Sequence, residues 1–213
     1  MKTGQVWLVR HGEVYNPSAV VYGKLPGFPL SERGARQARS LGLRLASTGV
    51  AAVYSSPLER ARQTAQILTE TARLPDPVIL EDLTEWELGS RWSGHTWDWI
   101  KQNRPKEWEA YRSHPASIRF IDETLEVLAQ RMRRALRHAL QETPDFPQRA
   151  VCIVSHADPL KVLLLSLMGE DLNSIHSVEL DVGSGILVEV RVGPSADPSS
   201  VSGTKILDQA TGD

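Results

Sequence analysis

The sequence predicts an α/β fold built around a mostly parallel central sheet, and three observations carry that expectation. Segments rich in β-branched residues alternate with long helical patterns along the 213 residues, as in parallel strands joined by crossover helices. The length fits a single domain, given about 150 residues for a typical one. Hydrophobic residues at 41% and charged residues at 23% leave enough apolar surface to build a core, which excludes a disordered chain.

Each element follows from local chemistry. Gln5 to Arg10 reads as the first strand, and Ser31 caps a helix running to about Thr48, with Gly49 as its stop. Ala51 to Tyr54 is the second strand. Ser56-Pro57-Leu58-Glu59 has the form of a capping box with proline at the first helical position, opening a helix to about Thr71. Val78 to Leu80 is a short strand. Between Glu123 and Glu142, Leu125, Leu128, Met132, Ala135, Leu136 and Ala139 recur at helical spacing, and Arg131, Arg133, Arg134 and Arg137 read as its solvated face. Ala150 to Ser155 is a further strand, followed by a helix from Pro159 to Met168 that Gly169 ends. Ser177 to Leu180 and Gly185 to Val192, joined through Gly183, suggest a hairpin and so an antiparallel edge on the sheet. Residues 1–192 thus form one domain with an insertion at about 90–122, and 193–213 read as a flexible tail rich in Gly, Pro and Ser.

Composition narrows the partners. Lysine plus arginine number 24 against 26 acids, a net charge of −2 without a polybasic run, so nucleic acid is not expected. The longest apolar stretch, Val162 to Met168, is interrupted by Ser166 and falls well short of the ~20 residues of a membrane span. No apolar signal segment precedes the first strand, which gives the expectation of a cytoplasmic protein. Cys152 is the sole cysteine, which leaves no internal disulfide or paired-cysteine zinc site and reads as a small buried hydrophobe.

Chemistry gathers at three strand ends: Arg10-His11-Gly12, Ser55-Ser56 through Arg60, and Ser155-His156. Ligands of open α/β sheets bind outside the carboxyl ends of the strands, so the fold brings these segments together. Two arginines, two histidines and two helix starts suit an anion with several oxygens. No G-x-x-x-x-G-K loop is present, so a phosphomonoester fits better than a triphosphate with its magnesium. A neutral histidine can attack phosphorus without a metal when cations neutralise the phosphoryl oxygens.

Leu8-Val9-Arg10-His11-Gly12-Glu13 resembles the first motif of the histidine phosphatase superfamily, which includes the phosphoglycerate mutases. Tyr54-Ser55-Ser56-Pro57-Leu58-Glu59-Arg60-Ala61-Arg62-Gln63-Thr64-Ala65 is similar to its second block and Val154-Ser155-His156 to its third, in order over roughly residues 5–190. The resemblance implies a three-layer sandwich, helices on both faces of the sheet and a helical insertion over the active site. It implies His11 as the phosphate-accepting nucleophile, Arg10 and Arg60 as the phosphoryl clamp with Ala157 beside them, and His156 completing the pocket. Leu83-Thr84-Glu85-Trp86-Glu87-Leu88-Gly89 resembles the segment carrying the proton donor, an acid four residues before a glycine, which selects Glu85 over Glu87. Asn16, Tyr22 and Gly23 are candidate substrate contacts; Asn16 stands five residues after His11, where the family has six.

The expected activity is a metal-independent phosphomonoesterase of histidine acid phosphatase type, with a phosphohistidine on His11, no cofactor, and a small phosphorylated metabolite as substrate. A phosphoglycerate mutase and a non-catalytic phospho-ligand-binding protein are the alternatives. Oligomeric state stays open, a homodimer included. Five of the six tryptophans fall between Trp86 and Trp108, as a satellite core under the insertion or an apolar wall over the leaving group.

Overall fold

A computed structural model describes residues 2–88, 91–121, 123–193 and 201–212. Six strands form one sheet in the order β3-β2-β4-β1-β5-β6, with β1 Lys2–Arg10, β2 Val50–Ser55, β3 Val78–Ile79, β4 Ala150–Ser155, β5 Gly185–Val192 and β6 Val201–Ala210. The four strands β3, β2, β4 and β1 run parallel, while β5 is antiparallel to β1 and β6 antiparallel to β5. β4 lies between β2 and β1 and is buried at all six positions, which is why its sequence is an unbroken small and apolar run.

Alternation along β1 divides the core into two layers. Trp7 and Val9 face helices α1 (Glu32–Leu45) and α2 (Glu59–Ala72), packing with Leu41, Leu45, Ala65 and Leu68. Val6 and Leu8 face α5 (Leu125–Glu142) and α6 (Ala157–Met168), packing with Leu128, Met132, Leu136 and Leu163. The fold is therefore a mixed α/β sandwich with helices on both faces. The insertion contributes α3 (Trp97–Asn103) and α4 (Pro105–Ser113). Among the described residues no helix is long and apolar enough to cross a membrane.

Several helix ends match local signals. Ser31 caps α1 by accepting from the Gly34 N–H at 3.0 Å, Thr124 caps α5, and Gly169 at φ +74° is the C-cap of α6, whereas α1 ends at Leu45 with Ala46 as its C-cap and Gly49, at φ +71°, turns the chain into β2.

Four readings are corrected. Ser56 is not the N-cap of α2, which starts at Glu59 with Leu58 as N-cap; its hydroxyl accepts from the Leu58 N–H at 3.3 Å and meets His156 Nε2 at 2.7 Å. The arginines of α5 are not one solvated face, because Arg131 and Arg137 are buried and Arg133 donates to the Ser166 hydroxyl and the Val201 carbonyl, both at 2.6 Å. No hairpin joins 177–180 to β5: residues Leu172–Ser177 form a 3₁₀ turn, and β5 finds its partners in β1 and β6. The tail read as flexible over 193–213 supplies β6, with Val201 and Ala210 buried; residues 194–200 of that reading lie outside the described residues. An edge strand with open N–H and C=O groups gains from pairing, and β6 supplies it.

Candidate active site

The carboxyl ends of β1, β2 and β4 meet, as the parallel order β2-β4-β1 requires. His11 directly follows β1 and is 1% exposed. Its Nδ1 lies 2.8 Å from the Gly12 carbonyl. A carbonyl only accepts, so Nδ1 carries the proton and Nε2 keeps its lone pair. Arg60 Nε donates to that Nε2 at 3.3 Å. Burial first, then the charge of Arg60, holds the His11 pKa well below its ordinary value, so the ring is neutral. The turn is held from behind by the Gly12 N–H bond to Thr64 Oγ1 at 3.0 Å. A Cβ at Gly12 would overlap the Gly34 carbonyl, which fixes glycine after the histidine for lack of space.

Arg60 enters from the first turn of α2 and is 1% exposed. Its Nη2 donates to the Gly23 carbonyl at 2.8 Å, and its guanidinium lies over the Tyr22 ring at 4.7 Å. His156 follows β4 as the N-cap residue of α6, so Ala157 opens that helix at the cavity wall. The His156 ring centroid lies 5.2 Å from that of His11. Its Nε2 meets the Ser56 hydroxyl at 2.7 Å, while its buried Nδ1 has no hydrogen-bond partner. Arg10 donates from Nη1 to the Leu180 carbonyl at 2.8 Å, and its buried Nε is likewise unpartnered. Unmet buried polar atoms are rare in folded proteins because each forfeits its hydration. On Arg10, next to His11 in the chain, and on His156, whose ring centroid is 5.2 Å from that of His11, two such atoms are available to an oxygen-rich ligand.

Glu85 closes the ring. Its Oε2 is 4.0 Å from Arg60 Nη2 and 3.8 Å from His156 Nδ1, and its Oε1 accepts from the Trp86 N–H at 2.8 Å. Burial, and then the nearby Asp158 carboxylate, push its pKa up to about 7 against the pull of Arg60. Such a carboxyl can deliver a proton near neutrality. Glu87 is not among the residues lining the cavity.

Arg131 was hidden in the sequence as one of four arginines on a helix. Its guanidinium donates to the carbonyls of Asp82 and Thr84 at 2.7 Å and of Glu85 at 3.2 Å, and forms a two-point pair with Glu123 at 2.5 and 2.8 Å. Its place three residues after Leu128 and four before Ala135, on the apolar stripe, is the signal that distinguishes it.

The Asn16 amide donates to the Val20 carbonyl at 2.9 Å and accepts from the Val20 N–H at 3.2 Å, closing its own loop. One residue fewer between it and His11 leaves its side chain to the loop. Tyr22 and Gly23 do line the cavity.

The cavity measures about 310 Å³, with Trp86, Trp97 and Tyr111 on its apolar side. A larger cleft of about 660 Å³ between α2 and β3, lined by Glu59, Arg62 and Gln66, includes none of Arg10, Glu85 and Ala157, which line the smaller cavity; His11, Arg60 and His156 are buried and are not themselves among the lining residues of either. The tryptophans divide: Trp92 is buried with Val21 and Ile100 in a satellite core, whereas Trp86 and Trp97 face the cavity. Among the described residues no three His, Cys, Asp or Glu side chains converge to hold a metal ion.

The chain is 36% identical over 171 residues to an uncharacterized protein of Mycobacterium tuberculosis, covering 79% of this chain and 80% of that one. It is 31% identical over 187 residues to phosphoserine phosphatase 1 of Hydrogenobacter thermophilus, covering 86% and 85%. The solved structure of a mycobacterial glucosyl-3-phosphoglycerate phosphatase superposes with a TM-score of 0.82 over 96% of this chain and 97% of the other, at 24% identity, a likeness of fold. The sequence pattern of the histidine phosphatase superfamily (branch 1) matches residues 6–194. With the strand-end motifs, the sheet order and this match in agreement, the chain belongs to the histidine phosphatase superfamily.

Proposed function

We propose that the protein is a metal-independent phosphomonoesterase that works through a phosphohistidine on His11 Nε2 and acts on a small phosphorylated metabolite. One observation carries the reading: the unprotonated Nε2 of a neutral histidine accepts from Arg60 at 3.3 Å, the His156 ring centroid lies 5.2 Å from that of His11, and a protonatable Glu85 stands 4.0 Å from Arg60 and 3.8 Å from His156 Nδ1. Phosphatase relatives support it.

The chemistry follows from these atoms. Phosphoryl oxygens accept from Arg10, Arg60 and His156; the last donates from Nδ1 when the Ser56 hydroxyl donates to Nε2. His11 Nε2 forms a bond to phosphorus as the ester P–O bond breaks, and the departing oxygen takes the Glu85 proton. Water then attacks phosphorus, yields a proton to the Glu85 carboxylate, and the N–P bond breaks. Phosphate leaves and His11 is neutral again. The α6 N-terminus, beginning at Ala157, adds partial positive charge for the oxyanion.

The test is hydrolysis of p-nitrophenyl phosphate in excess chelator, with phosphate-labelled protein collected without acid. Turnover and an alkali-stable, acid-labile label are expected, both absent in His11→Ala. Strict dependence on a divalent metal, or label that persists in His11→Ala, overturns the mechanism. Interconversion of 3-phosphoglycerate with its bisphosphate primer and no release of phosphate would make the protein a mutase instead.

A further inference from the structure

Ser56 is wholly buried where β2 ends beside β4. Its N–H donates to the Val154 carbonyl at 3.0 Å, and its carbonyl accepts from the Ser55 hydroxyl at 3.0 Å. The backbone thus fixes the residue relative to His156, two positions beyond Val154. Pro57 has no N–H, so the next donor along the chain is that of Leu58, the N-cap of α2, whose N–H has no partner within the helix. Ser56 Oγ accepts from it at 3.3 Å and meets His156 Nε2 at 2.7 Å; among the described residues it has no third hydrogen-bond partner.

These two contacts fix where the protons lie. A hydroxyl has one proton and two lone pairs. The Leu58 N–H takes a lone pair, and the one acceptor left for the hydroxyl proton is a bare Nε2 on His156. With the proton on Nε2 instead, Ser56 would accept twice and its own proton would be buried without an acceptor, which folded proteins avoid. Burial, and then the charge of Arg60, hold the His156 pKa well below its ordinary value, so the ring carries a single proton, on Nδ1. That atom stands 3.8 Å from Glu85 Oε2 and has no hydrogen-bond partner of its own. As an N–H it can donate to a phosphoryl oxygen. As a bare nitrogen it would repel that oxygen and compete for the proton that Glu85 gives to the departing alkoxide.

We propose that Ser56 is a positioning residue acting through His156: its hydroxyl holds the ring as the Nδ1–H tautomer, which supplies a donor to phosphate and leaves the Glu85 proton in place. This deepens the phosphomonoesterase reading and rests on it for the task of His156, whereas the tautomer is read without turnover.

The test is a nitrogen NMR spectrum of the full-length protein with isotope-labelled histidine rings, His156 being assigned by its absence from His156→Ala, together with calorimetric titration of inorganic phosphate. The wild type is expected to show a protonated Nδ1 and a bare Nε2 at His156. In Ser56→Ala the ring loses the donor to Nε2 and should divide between the two tautomers. Only the fraction with Nδ1–H is competent to bind, so the Kd for phosphate should rise by the inverse of that fraction, about tenfold if roughly one ring in ten keeps its proton on Nδ1. A loss that came only from a disturbed fold would not follow the tautomer fraction. A proton on Nε2 in the wild type overturns the proposal, and this spectrum decides even where Ser56→Ala does not fold. A Ser56→Ala ring that keeps Nδ1–H throughout overturns it too, as does a divided ring with an unchanged Kd. If the wild type does not hydrolyse p-nitrophenyl phosphate, the phosphomonoesterase reading fails, while the spectrum and the phosphate titration still support or overturn the role of Ser56.

Discussion

Glu85 illustrates how a single carboxyl acquires a role from its surroundings. With its pKa pushed up to about 7 by burial and Asp158, the protonated form dominates below that pH and is lost above it. His11, whose pKa is held down, stays neutral below its ordinary titration range. For an alkyl phosphate, kcat/KM is therefore expected to fall as pH rises through about 7, with the acid limb displaced below the usual histidine range. Glu85→Gln should lower that rate constant by about 10²–10⁴-fold. Its effect on p-nitrophenyl phosphate should be far smaller, because nitrophenolate leaves without a proton. Since water must also be activated to clear the phosphohistidine, stopped flow should record a burst of nitrophenol and then slow turnover. A burst in Glu87→Gln with wild-type behaviour in Glu85→Gln would exchange the two assignments. Arg131 donates to the Glu85 carbonyl at 3.2 Å and is expected to act through Glu85 as a positioning residue. Arg131→Met leaves the carbonyls of Asp82, Thr84 and Glu85 and the carboxylate of Glu123 without their donor. Breaking a buried pair in this way costs about 3–5 kcal/mol, measurable by denaturant titration. The rate loss should be greater with alkyl than with nitrophenyl esters; equal losses would show that Arg131 serves the fold alone.

At the scale of elements, β6 shows what an edge strand does for the rest of the sheet. It pairs along the whole of β5, from Gly185 with Ala210 to Val192 with Val201, and carries Asp208 to Arg44 of α1 at 2.6 Å. Its far end reaches the nucleophile loop: a Cβ at Gly212 would collide with the Gln37 backbone, and the Gln37 side chain accepts from the Glu13 N–H at 2.9 Å. Removing residues 201–213 uncovers the partners of Val201 and Ala210, worth about 3 kcal/mol by buried apolar area, and so about 6–12 °C in Tm for a chain of this size. Calorimetry checks it; an unchanged Tm would mean that β6 contributes nothing to the folded state.

On the scale of the whole molecule, three parallel strand ends and two helix starts are held by two core layers, and the site is assembled at their junction. Arg10 Nε and His156 Nδ1 are buried without a protein partner, and a bound oxyanion would accept from them. Inorganic phosphate should therefore raise Tm, by linkage about 2.7 kcal/mol at one hundred times its Kd, and the shift should shrink in His156→Ala. An equal shift in that variant would place phosphate elsewhere.

The sequence by itself determined the strands that carry the motifs, the helices with strong stop and cap residues, and the strand-end positions of Arg10, His11, Arg60 and His156. These depend on periods of two and 3.6 and on residues adjacent in the chain, which a linear pattern records. Tertiary structure alone decided the rest. Ser56 has the pattern of a cap but meets His156, a residue 100 positions away. Arg131 looks like its three neighbouring arginines until α5 is laid against residues 82–85. The segment 201–210, with Ser, Gly and Asp among its residues, has weak strand character and becomes a strand because β5 offers it an unpaired edge. Asn16 lies near the nucleophile in sequence and serves its own loop in space. Each of these depends on a partner distant in sequence, and burial beside that partner, not local propensity, fixes what the side chain does.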